Sequence, residues 1–490
     1  MSANESSEQG RHQALKPYHM QALVNGKWMN KTEKLEIHDP YSGEIVGTVP
    51  KLSPEDTHRA IESASKYSSS LSAWDRYLIL AGTAREILER TDEFASLISR
   101  EAGIALKSSR LEVERAYQVL LLSAEEAKRI TSEVIPADIS PGIHNWVAIT
   151  LREPVGVISA ITPFNHPLNQ VVHKIGPAIA ANNRLILKPS EKTPLTALLL
   201  GEVLLHNGLP SQMLNIVTGD ATMIGDLLVT HPEIRMISFT GSVQVGNIIA
   251  KKAGVKRLCL ELGGNGAAIV MDDADIERAT SAVIKGSFSN SGQRCTAIKR
   301  VLLHSAIADR FVDLLLSKVK ALKYGDPLDP NNDIGTLIDE NAAIRIEQTI
   351  QGAIQTGAKL LYGGKRFGAL IPPTVLDYVK PEAEIVVHET FGPIAPIIRF
   401  ESKQEALSIA NSTIYGLQAG IFTRDLDTAM YFARNLEVGG VVVNEAPGFR
   451  VEYLPFGGVK MSGVGREGVR YAIQSMTEIK TIMLEMGVSG

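Results

Sequence analysis

From Pro154 onward the chain alternates short β-rich runs with longer segments of helical periodicity, and no other feature narrows its possible folds as much. The runs VGVISAI, RLILK and MLNIV are each followed by such a segment. That is the βα alternation of a parallel sheet covered by helices. After GAAIV at 266–270 a helix signal near 275–287 leads into NSGQRC, and KRVLLH and FVDLLLSKVKALK then resume the alternation. Two α/β units follow, with a boundary within 262–270. With 490 residues the chain exceeds one simple core, so two or three domains are expected.

The flanks carry local signals. Residues 1–20 read as a frayed tail. In ALVNGKWMN the Asn-Gly pair between short apolar runs predicts an early hairpin. Ser53-Pro54-Glu55-Asp56 is a helix start, with a capping hydroxyl, a first-turn proline and acids near the positive helix end. Amphipathic patterns cover about 75–99 and 111–131. The stretch 135–153, containing WVAITLR, reads as an extended arm, and the C-terminal TEIKTIMLE as a strand of the kind that serves an interface.

Bulk properties exclude several function classes. A formal charge of -4 argues against nucleic acid or a membrane surface as a partner of the whole chain, so any anion site must come from a local cluster of arginines. Two cysteines cannot build a disulfide framework, and the spacing of Cys259 and Cys295 matches no zinc motif, so no metal is expected. A reducing compartment fits this usage. The start MSANESSEQGRHQALK is polar, unlike a secretory signal, and apolar runs are interrupted well before the roughly 18 residues of a membrane span. A cytoplasmic protein is expected.

Three residues are candidates for chemistry. Cys295 follows Arg294, and a neighbouring cation helps ionise a thiol that would otherwise be protonated at neutral pH; a buried apolar cysteine is the plainer alternative. Glu261, in LCLELGGN, lies just before a Gly-Gly break at a strand end, where a general base of a cleft or a surface carboxylate could sit. Asn165, in ITPFNHPLN, could donate to a developing oxyanion or serve as a turn residue. Cys259 reads as structural. The run ISFTGSVQVGNIIAKKAG has a strand, a Gly-Ser turn and a helix whose N-terminus could hold a pyrophosphate, yet it matches neither the G-x-G-x-x-G nor the P-loop pattern.

Taken in order, TPFNHP, LILKPSEKTPL, ISFTGSVQVG, LELGG, NSGQRC, HETFGP and LPFGGVKMSGVGREG closely resemble the aldehyde dehydrogenase superfamily. The resemblance implies an α/β fold with a Rossmann-like cofactor domain (1–135 and 154–263), an α/β catalytic domain (264–468) and a small β-arm for oligomerisation (136–153 and 469–490). It implies Cys295 as nucleophile, Glu261 as hydrolytic base and Asn165 as oxyanion donor. Cofactor contacts carried over are Thr162, Pro163, Phe164, Lys188, Ser190, Glu191, Gly225, Phe239, Thr240, Gly241, Ser242, Val245, Leu262, Gly263, Glu389 and Phe391. The implied cofactor is NAD, with NADP possible, since the Glu191 charge would repel a 2′-phosphate. A homodimer or homotetramer is implied as well.

Substrate choice is read from the basic residues. An arginine directly before the nucleophile resembles superfamily members that take phosphonoacetaldehyde or, without phosphorylation, glyceraldehyde 3-phosphate. Arg115, Arg294 and Arg450 would surround the anionic headgroup, with His166 beside them and Thr296 contributing. Three guanidinium groups can bind a phosphonate bidentately, and such a cluster is costly without an anion. Phosphonoacetaldehyde is the expected substrate, ahead of glyceraldehyde 3-phosphate and of sulfonated or carboxylated semialdehydes. A coenzyme-A-acylating dehydrogenase is disfavoured by Glu261, and a crystallin-like structural protein by the joint presence of Cys295, Glu261 and Asn165.

Overall fold

The βα alternation becomes two open sheets. A computed structural model describes residues 16–139, 141, 143 and 145–487; residues 1–15 of the expected tail lie outside the described residues. In the first sheet five parallel strands run in spatial order Arg257–Glu261, Ile234–Thr240, Val157–Ile161, Arg184–Lys188, Leu214–Ile216. The chain starts at Val157–Ile161, adds two strands on one side, then crosses to add two on the other. The order therefore reverses between Val157–Ile161 and Ile234–Thr240. A crevice opens at such a switch point beyond the carboxyl ends of the strands. The loops that begin at Thr162 and Gly241 leave from those two ends.

Both edges of this sheet are closed by antiparallel pieces. The hairpin Ala22–Val24 and Lys27–Met29 closes one, turning at Asn25 (φ 51°) and Gly26 (φ 73°), as the Asn-Gly signal requires. Gly463–Val464 closes the other, with Gly463 opposite Glu261. That return from the far end of the chain had no signature in the sequence.

The second sheet has seven strands, ordered Lys359–Tyr362, Thr374–Asp377, Ile394–Phe400, Ile298–His304, Gly266–Val270, Gln418–Phe422, Gly440–Val443. All pairs but the first are parallel. Only Leu262–Asn265 separates the last central strand of one sheet from the first of the other. The carboxyl edge of the first sheet thus faces the amino edge of the second.

Helices cover the sheets. Ser53 and Asp56 form a reciprocal capping box at the start of Pro54–Lys66. The amphipathic run over 75–99 is two helices, Ala73–Glu89 and Thr91–Ala102, because Arg90 leaves helical geometry (φ −98°, ψ 26°) and Asp92 and Glu93 begin a new first turn. The second run lies in Leu106–Ala127. Trp146–Pro154 and Thr477–Glu485 pair antiparallel over their whole lengths, with Glu133–Pro136 on the far side of Trp146–Pro154. This three-stranded arm leaves Val134, Ile479 and Met483 exposed. Among the described residues no helix is long and apolar enough to cross a membrane.

Candidate active site

The segment 289–297 enters the strand Ile298–His304 through an unusual turn. Asn290, Ser291 and Gly292 all have positive φ (57°, 53° and 69°). Three successive left-handed residues are costly, and contacts on both sides hold them. Asn290 Nδ2 donates to the Asn165 carbonyl at 3.0 Å. Gln293 receives Asn165 Nδ2 on its carbonyl at 2.8 Å, while its own side chain bridges Thr336 O and Ile338 N. A Cβ on Gly292 would lie 2.0 Å from the Gly392 carbonyl oxygen, so only glycine fits. The turn locks Cys295 beside Asn165 on the wall of a cleft of about 450 Å³.

That cleft is where the two sheet edges meet. Pro163, Phe164, Asn165, Thr240, Gly241 and Ser242 line it from the first sheet, and Gln293, Cys295, Glu389 and Phe391 from the second. One N–H of the Asn165 amide is held by Gln293 O, which fixes its plane and leaves the other free to donate. The basic neighbour does not ionise Cys295. Burial pushes the thiol up to about 12, helped by the Glu389 and Glu261 carboxylates, while Lys299 and Arg450 pull weakly the other way.

Glu261 is buried behind Leu262 and Gly263 and is absent from the cleft lining. Neither of its oxygens has a partner. Burial, then the Glu467 carboxylate, raises its pKa well above the usual range. Beneath it Lys174 Nζ donates to Glu467 at 2.9 Å and to Thr240 Oγ1 at 2.7 Å. Burial opposes ionisation of Glu467, but Lys174, His173 and Arg450 together outweigh it and hold that carboxyl low. Two neighbouring carboxyls therefore differ in charge preference, one anionic and one ready to take a proton.

The carried-over cofactor residues fall along the first sheet's carboxyl edge. Lys188 Nζ donates to Glu191 Oε1 at 2.6 Å, and the same oxygen accepts Ala221 N at 2.8 Å. Ser190 sits in the turn between Lys188 and Glu191, its Oγ accepting Lys192 N. Thr162 N donates to Lys188 O at 3.1 Å. Ser242 caps the helix Val243–Lys252, and a Cβ on Gly246 would lie 2.4 Å from Leu262, so the helix start packs tightly on the strand end below. Space is open beside Gly225, and Val245 is exposed. Phe239 is buried beneath, with a Gly241 Cβ position 2.4 Å from its ring. At the opposite end a Gly263 Cβ would meet Glu389 Oε2 at 2.2 Å. Glu389 accepts from Gly264 N (3.2 Å), and Lys299 lies 3.3 Å from the same carboxylate oxygen and 4.6 Å from the Phe391 ring centre. A paired Lys–Glu, a capped helix start and an aromatic-carboxylate corner in one cleft form a donor set that fits a dinucleotide.

The basic residues are arranged differently from the expectation of one open anion cage. Arg294 turns away from the thiol, and its Nη2 donates to the Lys285 and Gly286 carbonyls (3.0 and 2.8 Å) near the end of helix Ile276–Phe288. The last-turn carbonyls form the negative end of the helix and attract a guanidinium, which is the physical reason for the turn. His166 Nδ1 donates to Glu112 Oε2 at 3.0 Å, and the other Glu112 oxygen caps Leu168 N and Asn169 N. Arg115 and Arg450 do converge, and they do so on Glu452. Arg115 Nε donates to Oε1 at 2.7 Å, and Arg450 Nε lies 3.2 Å from Oε2. Gly448 lets this loop lie on Thr296 and Arg294, 3.2 and 3.3 Å from its Cβ position.

Sequence reasoning missed Glu452, His173 and Lys174, as well as Gln170, Arg345 and His388 in the cleft lining. Buried charge inside apolar helix Asn169–Ala180 was the available signal for His173 and Lys174. Among the described residues no group of acids, histidines and cysteines could hold a metal ion.

Known proteins show the same frame. The chain is 43% identical over 464 residues to 3-sulfolactaldehyde dehydrogenase of Priestia megaterium, spanning 94% of this chain and 97% of the relative. It is 43% identical over 470 residues to lactaldehyde dehydrogenase of Methanocaldococcus jannaschii, spanning 94% and 99%. The crystal structure of glyceraldehyde-3-phosphate dehydrogenase GapN from Methanocaldococcus jannaschii, complexed with NADP, superposes with a TM-score of 0.89 at 42% identity, covering 93% of this chain and all of that one. The aldehyde dehydrogenase family model matches residues 28–482, and the chain belongs to that family.

Proposed function

We propose that this enzyme oxidises a short aldehyde with an oxyanion headgroup to the free acid, using NAD or NADP, and that phosphonoacetaldehyde is its substrate. One observation carries the reading: Arg115 and Arg450 converge on Glu452, and the Arg450 charge reaches both Cys295 and Glu261. Glu452 offsets one of the two cations, so a neutral aldehyde would leave the other without a counter-charge. A second reading, a sulfonated aldehyde, is favoured by Glu452, which offsets one of the two cations, and by the likeness to a 3-sulfolactaldehyde dehydrogenase.

The Cys295 thiol gives its proton to water as Sγ attacks the aldehyde carbon, and the oxyanion formed is held by the free N–H of Asn165 and the backbone N–H of Cys295. When bound, the nicotinamide supplies the hydride acceptor. Lys188, Glu191 and the start of helix Val243–Lys252 orient the dinucleotide, and Glu389 and Phe391 hold its reactive end. Glu261, with its raised pKa and unpartnered oxygens, takes a proton from the water that hydrolyses the Cys295 thioester. The eight-stranded sheet is assigned to cofactor binding, the seven-stranded sheet to catalysis, and the exposed arm to a homodimer or homotetramer contact.

The test incubates the enzyme with NAD or NADP and phosphonoacetaldehyde and follows the product by phosphorus NMR. Phosphonoacetate formed without coenzyme A, and lost in Cys295→Ala, is expected. No acid product, or acid formed only with coenzyme A present, overturns the reading.

A further inference from the structure

Glu452 is the centre of a closed circuit of hydrogen bonds and one ion-pair contact. Its Oε1 accepts from Arg115 Nε (2.7 Å), and its Oε2 faces His173 Nε2 (2.9 Å) and Arg450 Nε (3.2 Å). The other His173 nitrogen, Nδ1, faces Arg450 Nη2 at 3.3 Å. A guanidinium can only donate, so Nδ1 accepts and Nε2 carries the proton that it gives to Glu452. The imidazole is thereby neutral. Burial, then the Arg450 charge, hold its pKa low and keep it so. Burial opposes ionisation of Glu452, but His173, Arg115 and Arg450 outweigh it and hold the carboxyl well below the usual carboxylate range.

The circuit has a countable charge: two guanidinium cations, one carboxylate and a neutral imidazole leave a single net positive charge. Glu452 also uses only the Nε of each arginine. The Nη groups of Arg115, whose side chain is 32% exposed, stay free for a ligand. Arg450 is fixed in place by stacking on Phe456 at 4.1 Å from the ring centre.

We infer that Glu452 is a specificity-determining positioning residue that sets the headgroup charge the site prefers, by cancelling one of the two cations it presents. The inference rests on the reading of an anionic aldehyde as substrate. Two aldehydes of equal length isolate the effect: phosphonoacetaldehyde, doubly charged at about pH 8, above the second ionisation near 6 of a phosphoryl-type group, and sulfoacetaldehyde, singly charged. Both use the same arginines, so a variant that merely loosens them lowers kcat/KM for both and leaves the ratio unmoved.

The experiment measures the phosphonate-to-sulfonate ratio of kcat/KM in the full-length enzyme. Glu452→Gln is expected to raise the ratio about tenfold, a difference of about 1.4 kcal/mol, and Glu452→Asp to keep it at the wild-type value. Arg115→Gln, at the exposed member of the circuit, is expected to lower it about tenfold and serves as the second variant should Glu452→Gln fail to fold. A wild type that prefers both anions to acetaldehyde, with a ratio unmoved in Glu452→Gln and Arg115→Gln, overturns the inference alone. A wild type that takes acetaldehyde as well as either anion overturns the anionic-substrate reading and the inference together.

Discussion

Replacing Gly292 by alanine tests the physical basis of the Cys295 turn. The backbone at Gly292 has φ 69°, and a side chain there costs about 1–2 kcal/mol. The new Cβ would lie 2.0 Å from the Gly392 carbonyl oxygen and 2.3 Å from its carbon, both backbone atoms. Ordinary contact begins near 3.4 Å, so one of the two segments must move by about 1.4 Å. One carries Cys295, and the other follows Glu389 and Phe391 directly. A displacement of about 1 Å at reacting groups costs on the order of a hundredfold in rate. We therefore expect Gly292→Ala to lower kcat/KM about a hundredfold, measured with a saturating cofactor, while circular dichroism still reports a folded protein. Gly352→Ala is the control. Its Cβ position meets nothing within 4 Å, in the last turn of helix Glu340–Gln355, so full activity and unchanged or slightly higher stability are expected. Activity within about twofold of wild type in Gly292→Ala would refute the claim that this turn positions the thiol.

Two further outcomes follow from the site. Because burial pushes Cys295 up to about 12 in the free enzyme, its iodoacetamide alkylation rate should climb about tenfold per pH unit from pH 7 to pH 10, without a plateau; a plateau near neutral pH would show an ionised thiol. Glu261→Gln should retain a burst of about one reduced cofactor per active site, followed by turnover slowed about a hundredfold; stopped-flow absorbance distinguishes this from a uniform loss.

What could be read in advance followed local rules. The Asn25-Gly26 hairpin, the Ser53/Asp56 capping box and the strand Thr477–Glu485 each depend on a few adjacent residues, and the sequence places them where the structure has them. The break at Arg90 was hidden because apolar periodicity continues across it while the backbone does not. Partner choice was the least legible feature. Arg294, Arg115 and Arg450 all read as parts of one anion pocket, but which anion or carbonyl each one meets depends on how the assembled fold turns its side chain. Lys285 and Gly286 at a helix end draw Arg294 outward, and Glu452, more than 300 positions after Arg115, draws Arg115 and Arg450 together. Glu452 itself belongs to none of the quoted motifs. Burial likewise decided the ionisation of Cys295 against its basic neighbour, and burial is a property of the assembled fold.

Recognition of the aldehyde's charged end is proposed to rest on Arg115 and Arg450. Its most direct test is kcat/KM for phosphonoacetaldehyde and for acetaldehyde in wild type and in Arg450→Ala. We expect a wild-type preference for the anion of at least about a hundredfold and its collapse to within about tenfold in the variant, the loss falling mainly on KM for the anion. Equal losses for both aldehydes would contradict it.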